Sequence, residues 1–186
     1  YVPDMLRDLL IPVFETRSPN FREVPARQLE IMSPAARADY EHLRTLSRAR
    51  KPERLAMQAK LWTNALALER AFVAAGGLLI AGPDPTGAGH VIPGFGNQRV
   101  IELLVEAGFT PVEAIRIGTL NGAIYLGLDR KIGSITPGKH ADLILVNGNP
   151  ATDITAIEKV EIVFKDGTGY DAAALLSTEK GRYGQY

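Results

Sequence analysis

No cysteine occurs in the 186 residues, which excludes disulfides and thiolate metal centres and leaves the redox compartment open. Neither sign of charge is in excess, because 21 Lys+Arg stand against 21 Asp+Glu. That balance excludes a polyanion-binding or highly charged disordered chain. No run of residues approaches the ~20 apolar residues of a membrane-spanning helix, so neither a nucleic acid nor a membrane is expected as a partner. Histidine is scarce, with three at positions 42, 90 and 140, too scattered for sequence alone to argue a closed metal site. The spacings Gly-x-Ser-x-Gly, His-Glu-x-x-His and Gly-x-x-x-x-Gly-Lys-Ser/Thr are also absent. No signal peptide is visible, but the chain opens on Tyr1 rather than Met and reads as a fragment or processed product. Localisation is therefore left open beyond the expectation of a soluble protein.

What remains is an ordinary globular composition, 46% hydrophobic and 23% charged. Leu9 to Phe14 reads as a short buried strand interrupted by Pro12. Residues from Phe21 to about Ala75 read as helical, with ten Lys/Arg against five Asp/Glu between Arg17 and Lys60, an excess that fits solvated helix faces. Ser33-Pro34 has the form of an N-cap followed by proline at the first helical position. A second helix follows Pro52. Its stripe of Leu55, Ala59, Trp62, Leu66 and Val73, with Leu61, Ala65, Leu68 and Phe72 alongside, is wide enough to pack on a sheet. Trp62 reads as packing and His42 as surface, and Gly76-Gly77 ends the helix.

Leu78-Leu79-Ile80-Ala81 then reads as a strand buried on both faces, so that helix and strand together form half of an α/β unit. A loop rich in glycine and proline, Gly82 to His90, follows it. Residues Arg99 to Ala107 form a helix closed by Gly108, and Thr110-Pro111-Val112-Glu113 is a capping box. A short helix is expected from about Asn121 to Leu126. Strands over 142–146 and 160–164 follow, with turns at Gly148-Asn149-Pro150 and Asp166-Gly167. His140 and Asp142, just before the first of these strands, read as structural.

Asp84 is the leading candidate for chemistry, because functional groups gather where parallel strands end. A carboxylate there can hold a divalent cation or take a proton from water. Equally, an aspartate in such a loop can simply bond its own turn. Thr86 and His90, in the same loop, are the candidate substrate contacts.

Three runs in order, Ala75 to Asp84, Glu102 to Ala114 and Gly133 to Leu143, resemble the end of the amidohydrolase superfamily, its imidazolonepropionase-like branch in particular. They resemble its last barrel strand, the helix pair behind it and the re-entry into its small β-sandwich. The resemblance implies the C-terminal part of a (β/α)8 barrel (residues 1–130, with the last two barrel strands and their helices) followed by part of a β-sandwich (131–186). It implies a metal-dependent hydrolase that cleaves a C–N bond in an amide, cyclic amide or peptide-like small molecule with metal-activated water, possible as a homo-oligomer when intact. It further implies that Asp84 contacts the divalent metal, Zn²⁺ favoured and one or two ions in number, and shuttles the proton. The family usually has Gly-Thr-Asp where this chain has Gly82-Pro83-Asp84. The family's His-x-His, its lysine or acidic bridge and its later histidines have no counterparts here, so the fragment alone is expected to be inactive. A second reading is a non-catalytic α/β module that binds a ligand or partners a separately encoded N-terminal half.

Overall fold

The structure, a computed structural model, describes residues 29–48, 52–83 and 94–184. The strand expected over Leu9 to Phe14 lies outside them. The architecture is mixed α/β. Helix α1 spans Pro34–Arg48 and α2 Pro52–Ala74. Residues 77–83 connect these to α3, Gly96–Glu106. A continuous helical stretch then runs through α4 (Pro111–Arg116), a π turn (Ile117–Asn121) and α5 (Gly122–Tyr125). The tail carries β1 (Leu143–Val146), a 3₁₀ helix (Ile154–Glu158), β2 (Val160–Lys165), β3 (Thr168–Asp171) and α6 (Ala172–Thr178).

The helix boundaries follow local chemistry. The Ala36 amide donates to Ser33 Oγ at 3.2 Å, so Ser33 caps α1. At α4 the reciprocal box is complete: the Glu113 amide donates to Thr110 Oγ1 and the Thr110 amide to Glu113 Oε2. Both α2 and α3 close on a glycine with φ near +90°, Gly76 and Gly108. In each case the amides of that glycine and of the next residue turn back onto the last helical carbonyls.

The main core joins these elements. Ile101, Leu104, Phe109, Ala114, Ile117 and Ile157 are buried together, with Leu66 and Val73 of α2 and Leu79 and Ala81 of residues 77–83 packed against them. Ile154 and Ile157 bring the 3₁₀ helix of the tail onto this same cluster. A second, smaller core sets Leu29, Ile31, Met32 and Tyr40 against Leu176 and Tyr183. There the chain from 30 to 33 runs parallel to 181–183, with amides of Gly181, Tyr183 and Ser33 donating across.

Several expectations need correction. Residues 30–33 do not continue the helical zone; they pair with residues 181–183, a contact about 150 residues away that no local pattern announces. The run Leu78 to Ala81 is not covered on both faces. Burial alternates along it with the period of extended chain, leaving Leu78 43% and Ile80 42% exposed. The reason is that, among the described residues, helices pack on one face only and no strand pairs with it. The apolar stripe of α2 is likewise half used. Trp62 is buried, as expected, but Leu61, Leu68 and Phe72 stay exposed. Asn121 to Leu126 is not a separate short helix but the end of the stretch that begins at Pro111. The sheet gains a third strand and a following helix.

That sheet is antiparallel in the order β1-β2-β3, pairing Leu143 with Phe164 and Val146 with Val160, with an irregularity after Leu145. β2 returns into β3 through Asp166-Gly167, with φ of +49° and +81°. Two left-handed central residues are what a two-residue hairpin turn of matching twist requires, and Asp-Gly supplies them.

Candidate active site

Asp84, Thr86 and His90 all fall in residues 84–93, outside the described part. What the structure shows is the frame on either side. The first edge is the run 77–83, ending in Pro83. The second is Gly94-Phe95 and the start of α3, where Arg99 lies three residues into the helix.

Arg99 donates to Glu102 Oε2 at 2.9 Å and reaches Glu106 Oε1 at 2.7 Å, with the Glu102 side chain only 3% exposed. Buried charges of this kind hold geometry firmly, because removing one partner strands the other in a low-dielectric setting. The same three residues mark one face of α3 in the sequence, at i, i+3 and i+7; nothing local marks that face as buried.

The second feature is Asn121, a buried amide at 9% exposure. Its Nδ2 donates to the Leu79 carbonyl at 2.8 Å, across 42 residues of sequence. The π turn places it there. Thr119 Oγ1 donates to the Ile115 carbonyl at 2.7 Å, competing with the backbone ladder. Gly118 lets the helix approach Ile101 so closely that an added Cβ would sit 2.8 Å from Ile101 Cδ1. The sequence reading missed Asn121, since the only available signal was its polarity within the apolar stretch Ile117 to Ile124.

A third group sits at the entry to the sheet. Asp142 accepts from the Asp166 amide at 2.8 Å and from Lys165 Nζ at 2.6 Å. Those bonds hold its carboxyl below the usual range, the backbone bond first. Asp166 lies 2.7 Å from His140 Nδ1, and that bond is the leading reason its own carboxyl is lowered. His140 and Asp142 are therefore hairpin residues, as expected. His42 is exposed on α1, also as expected. Elsewhere, Glu69 stands between Leu66 and Val73 on the inner side of α2, where burial raises its pKa above the ordinary 4.5.

Among the described residues, no three His, Cys, Asp or Glu side chains stand close enough to hold a metal ion. No helix there is long and apolar enough to cross a membrane.

Helices laid on one face of an extended run, with a small antiparallel sheet after them, define a mixed α/β chain. The chain belongs to the amidohydrolase family, which it matches over residues 44–169. It is 41% identical over 71 residues to an adenine deaminase of Roseobacter denitrificans, a match covering 38% of this chain and 12% of that protein. A solved Xaa-Pro dipeptidase with bound methionine is 28% identical with a TM-score of 0.54, covering 83% of this chain and 39% of that one. A bottromycin amidohydrolase, at 18% identity and a TM-score of 0.64, shares the fold over 92% of this chain and 39% of its own. The matched part thus spans about an eighth of that curated relative and about two fifths of those solved chains.

Proposed function

We propose that the chain is the C-terminal part of a (β/α)8-barrel amidohydrolase that hydrolyses a C–N bond in a small amide, cyclic amide or peptide-like substrate. In this reading residues 1–130 belong to the barrel and 131–186 to its β-sandwich. One observation carries it: the family match over 44–169 encloses Asp84 at the exit of the run that α2, α3 and α4 support from one side. A peptide-like substrate is the first choice, since the dipeptidase likeness extends over 83% of the chain and the adenine deaminase match over 38%.

The chemistry assigned to this chain is proton transfer. Water oxygen bonds to the carbonyl carbon while Asp84 takes the water proton; the C–N bond then breaks and Asp84 returns that proton to the leaving nitrogen. Thr86 and His90 are proposed as substrate contacts. A divalent ion, Zn²⁺ favoured, would polarise the carbonyl and ease deprotonation of water. The donors on the described residues fall short of the three protein ligands such a site takes. Asp84 is proposed as one ligand, with the rest supplied from outside this sequence, and the proton steps are assigned to Asp84 alone.

The test is Asp84→Asn in the complete gene product, assayed by chromatography for hydrolysis of alanyl-proline, an N-acetyl amino acid, hydantoin and adenine. We expect kcat to fall by at least about a hundredfold, the lower part of the range for loss of a general acid–base group. Asp142→Asn, in the hairpin network, should stay within a few-fold of wild type. Near-normal turnover in Asp84→Asn at full metal content would make Asp84 a turn residue.

A further inference from the structure

We propose that Asn121 is a positioning residue: its side-chain amide latches residues 77–83 to the helix layer through the Leu79 carbonyl, and so sets the point at which that run delivers Asp84. The inference rests on the reading of Asp84 given above.

Two kinds of contact hold residues 78–83 among the described residues. The first is apolar: Leu79 and Ala81 pack against the cluster around Ile101, Leu104 and Ile117. Such packing is non-directional. It favours the correct face of an extended segment, but a slip by two residues returns the same face, so packing alone fixes height poorly. The second is directional. The bond from Asn121 Nδ2 to the Leu79 carbonyl is the one hydrogen bond that the backbone of 78–83 makes among the described residues. It defines which carbonyl stands opposite the π turn, and hence the height of every residue beyond it.

The donor itself is held from two sides. Ile101 of α3 presses on the turn at Gly118, and Gly133 closes on it from the following loop, where an added Cβ would sit 2.6 Å from Ala123 Cβ. A buried amide with its helix clamped between two close contacts cannot follow the strand if the strand slides. It therefore works as a fixed stop. Asp84 lies five positions beyond Leu79 in the sequence, so the height at which residues 77–83 are held bears on the role proposed for Asp84.

The experiment uses the complete gene product and compares Asn121→Leu, which removes the donor, with Asn121→Gln, which retains it; both side chains exceed asparagine in volume. Asn121→Asp, equal in size without the donor, is the third arm. Hydrogen exchange followed by mass spectrometry reads peptides covering 77–83 and 111–116. Turnover of alanyl-proline, or of whichever amide in the panel above is hydrolysed, gives kcat and KM. A latch predicts at least tenfold faster exchange in 77–83 for Asn121→Leu, with 111–116 unchanged. It also predicts kcat lowered at least tenfold with KM within about threefold. Asn121→Gln should be milder on every count, because the amide can still reach a carbonyl. Mere packing predicts that damage follows added volume, with Leu and Gln both disruptive and Asn121→Asp near wild type. Unchanged exchange in Asn121→Leu, damage from Gln equal to or greater than that from Leu, or wild-type behaviour of Asn121→Asp overturns the latch. If Asn121→Leu does not accumulate, Asn121→Asp takes its place in the comparison with Gln. An inactive Asp84→Asn beside a normal Asn121→Leu sinks this inference alone. A fully active Asp84→Asn sinks the reading beneath it, whatever Asn121 does.

Discussion

Glu69 shows how a single side chain can work against the fold that contains it. It lies on the inner side of α2 between two residues that pack on the main core, and burial raises its pKa above 4.5. A raised carboxyl pKa means that the folded state binds its proton more tightly than the unfolded chain does. Its contribution to stability is therefore greatest at low pH and declines as pH climbs from about the unfolded value through the folded one. Glu69→Gln removes the titration. At pH 7 we expect the thermal midpoint of the complete gene product to rise. Near pH 4 the two proteins should melt together. Equal midpoints at both pH values would place Glu69 in water. Nothing local warns of this position, because a glutamate at helical spacing from Leu66 and Val73 is read as an edge residue until the neighbouring helix is seen. Asp142 was legible for the opposite reason, since its partners Asp166 and Lys165 belong to a turn that announces itself.

Among the elements, those with short-range causes were the readable ones. The capping box at Thr110, the helix-ending glycines and the Asp166-Gly167 hairpin each depend on residues within a few positions, and each is found where the pattern puts it. Thr110→Ala should remove one half of the box and cost about 1 kcal/mol, within the usual range for a lost cap. The thermal midpoint of the complete gene product should fall accordingly, with Thr110→Ser keeping most of the stability; no difference between the Ala and Ser variants would show that the cap adds nothing measurable. Elements whose form depends on distant chain were misread. The π turn arises from Thr119 bonding back to Ile115 and from a glycine that admits Ile101, and only the first of these is local. The third strand, short and open to solvent along its length, has too few apolar residues to declare itself. Of the candidate site, the sequence names Asp84, through a resemblance and a strand-end argument, with Thr86 and His90 beside it, and all three lie outside the described residues. Asn121 acts across a tertiary contact that a linear reading does not contain, whereas the Arg99 cluster lies within α3 and only its burial is set from a distance.

On the scale of the whole molecule, apolar side chains are left open in two places. Met57, Leu61, Leu68 and Phe72 recur at helical spacing on α2, and Leu78 and Ile80 line the open face of the run beyond it. On a chain matching about two fifths of its solved relatives, these are surfaces for further chain to cover. We expect the 186-residue chain on its own to associate or bind a hydrophobic dye, and to lack a cooperative melt. A monodisperse monomer with one sharp transition in sedimentation and calorimetry would contradict this. The parallel pairing of 30–33 with 181–183 has a consequence in time as well as space. A ribosome exposes Leu29, Ile31 and Met32 about 150 residues before it makes Tyr183, which at 5–20 residues per second is a wait of roughly 8–30 s. During translation the smaller core has one wall and no other. Chaperone capture of the nascent chain should concentrate on that wall and end once residues 181–183 have emerged.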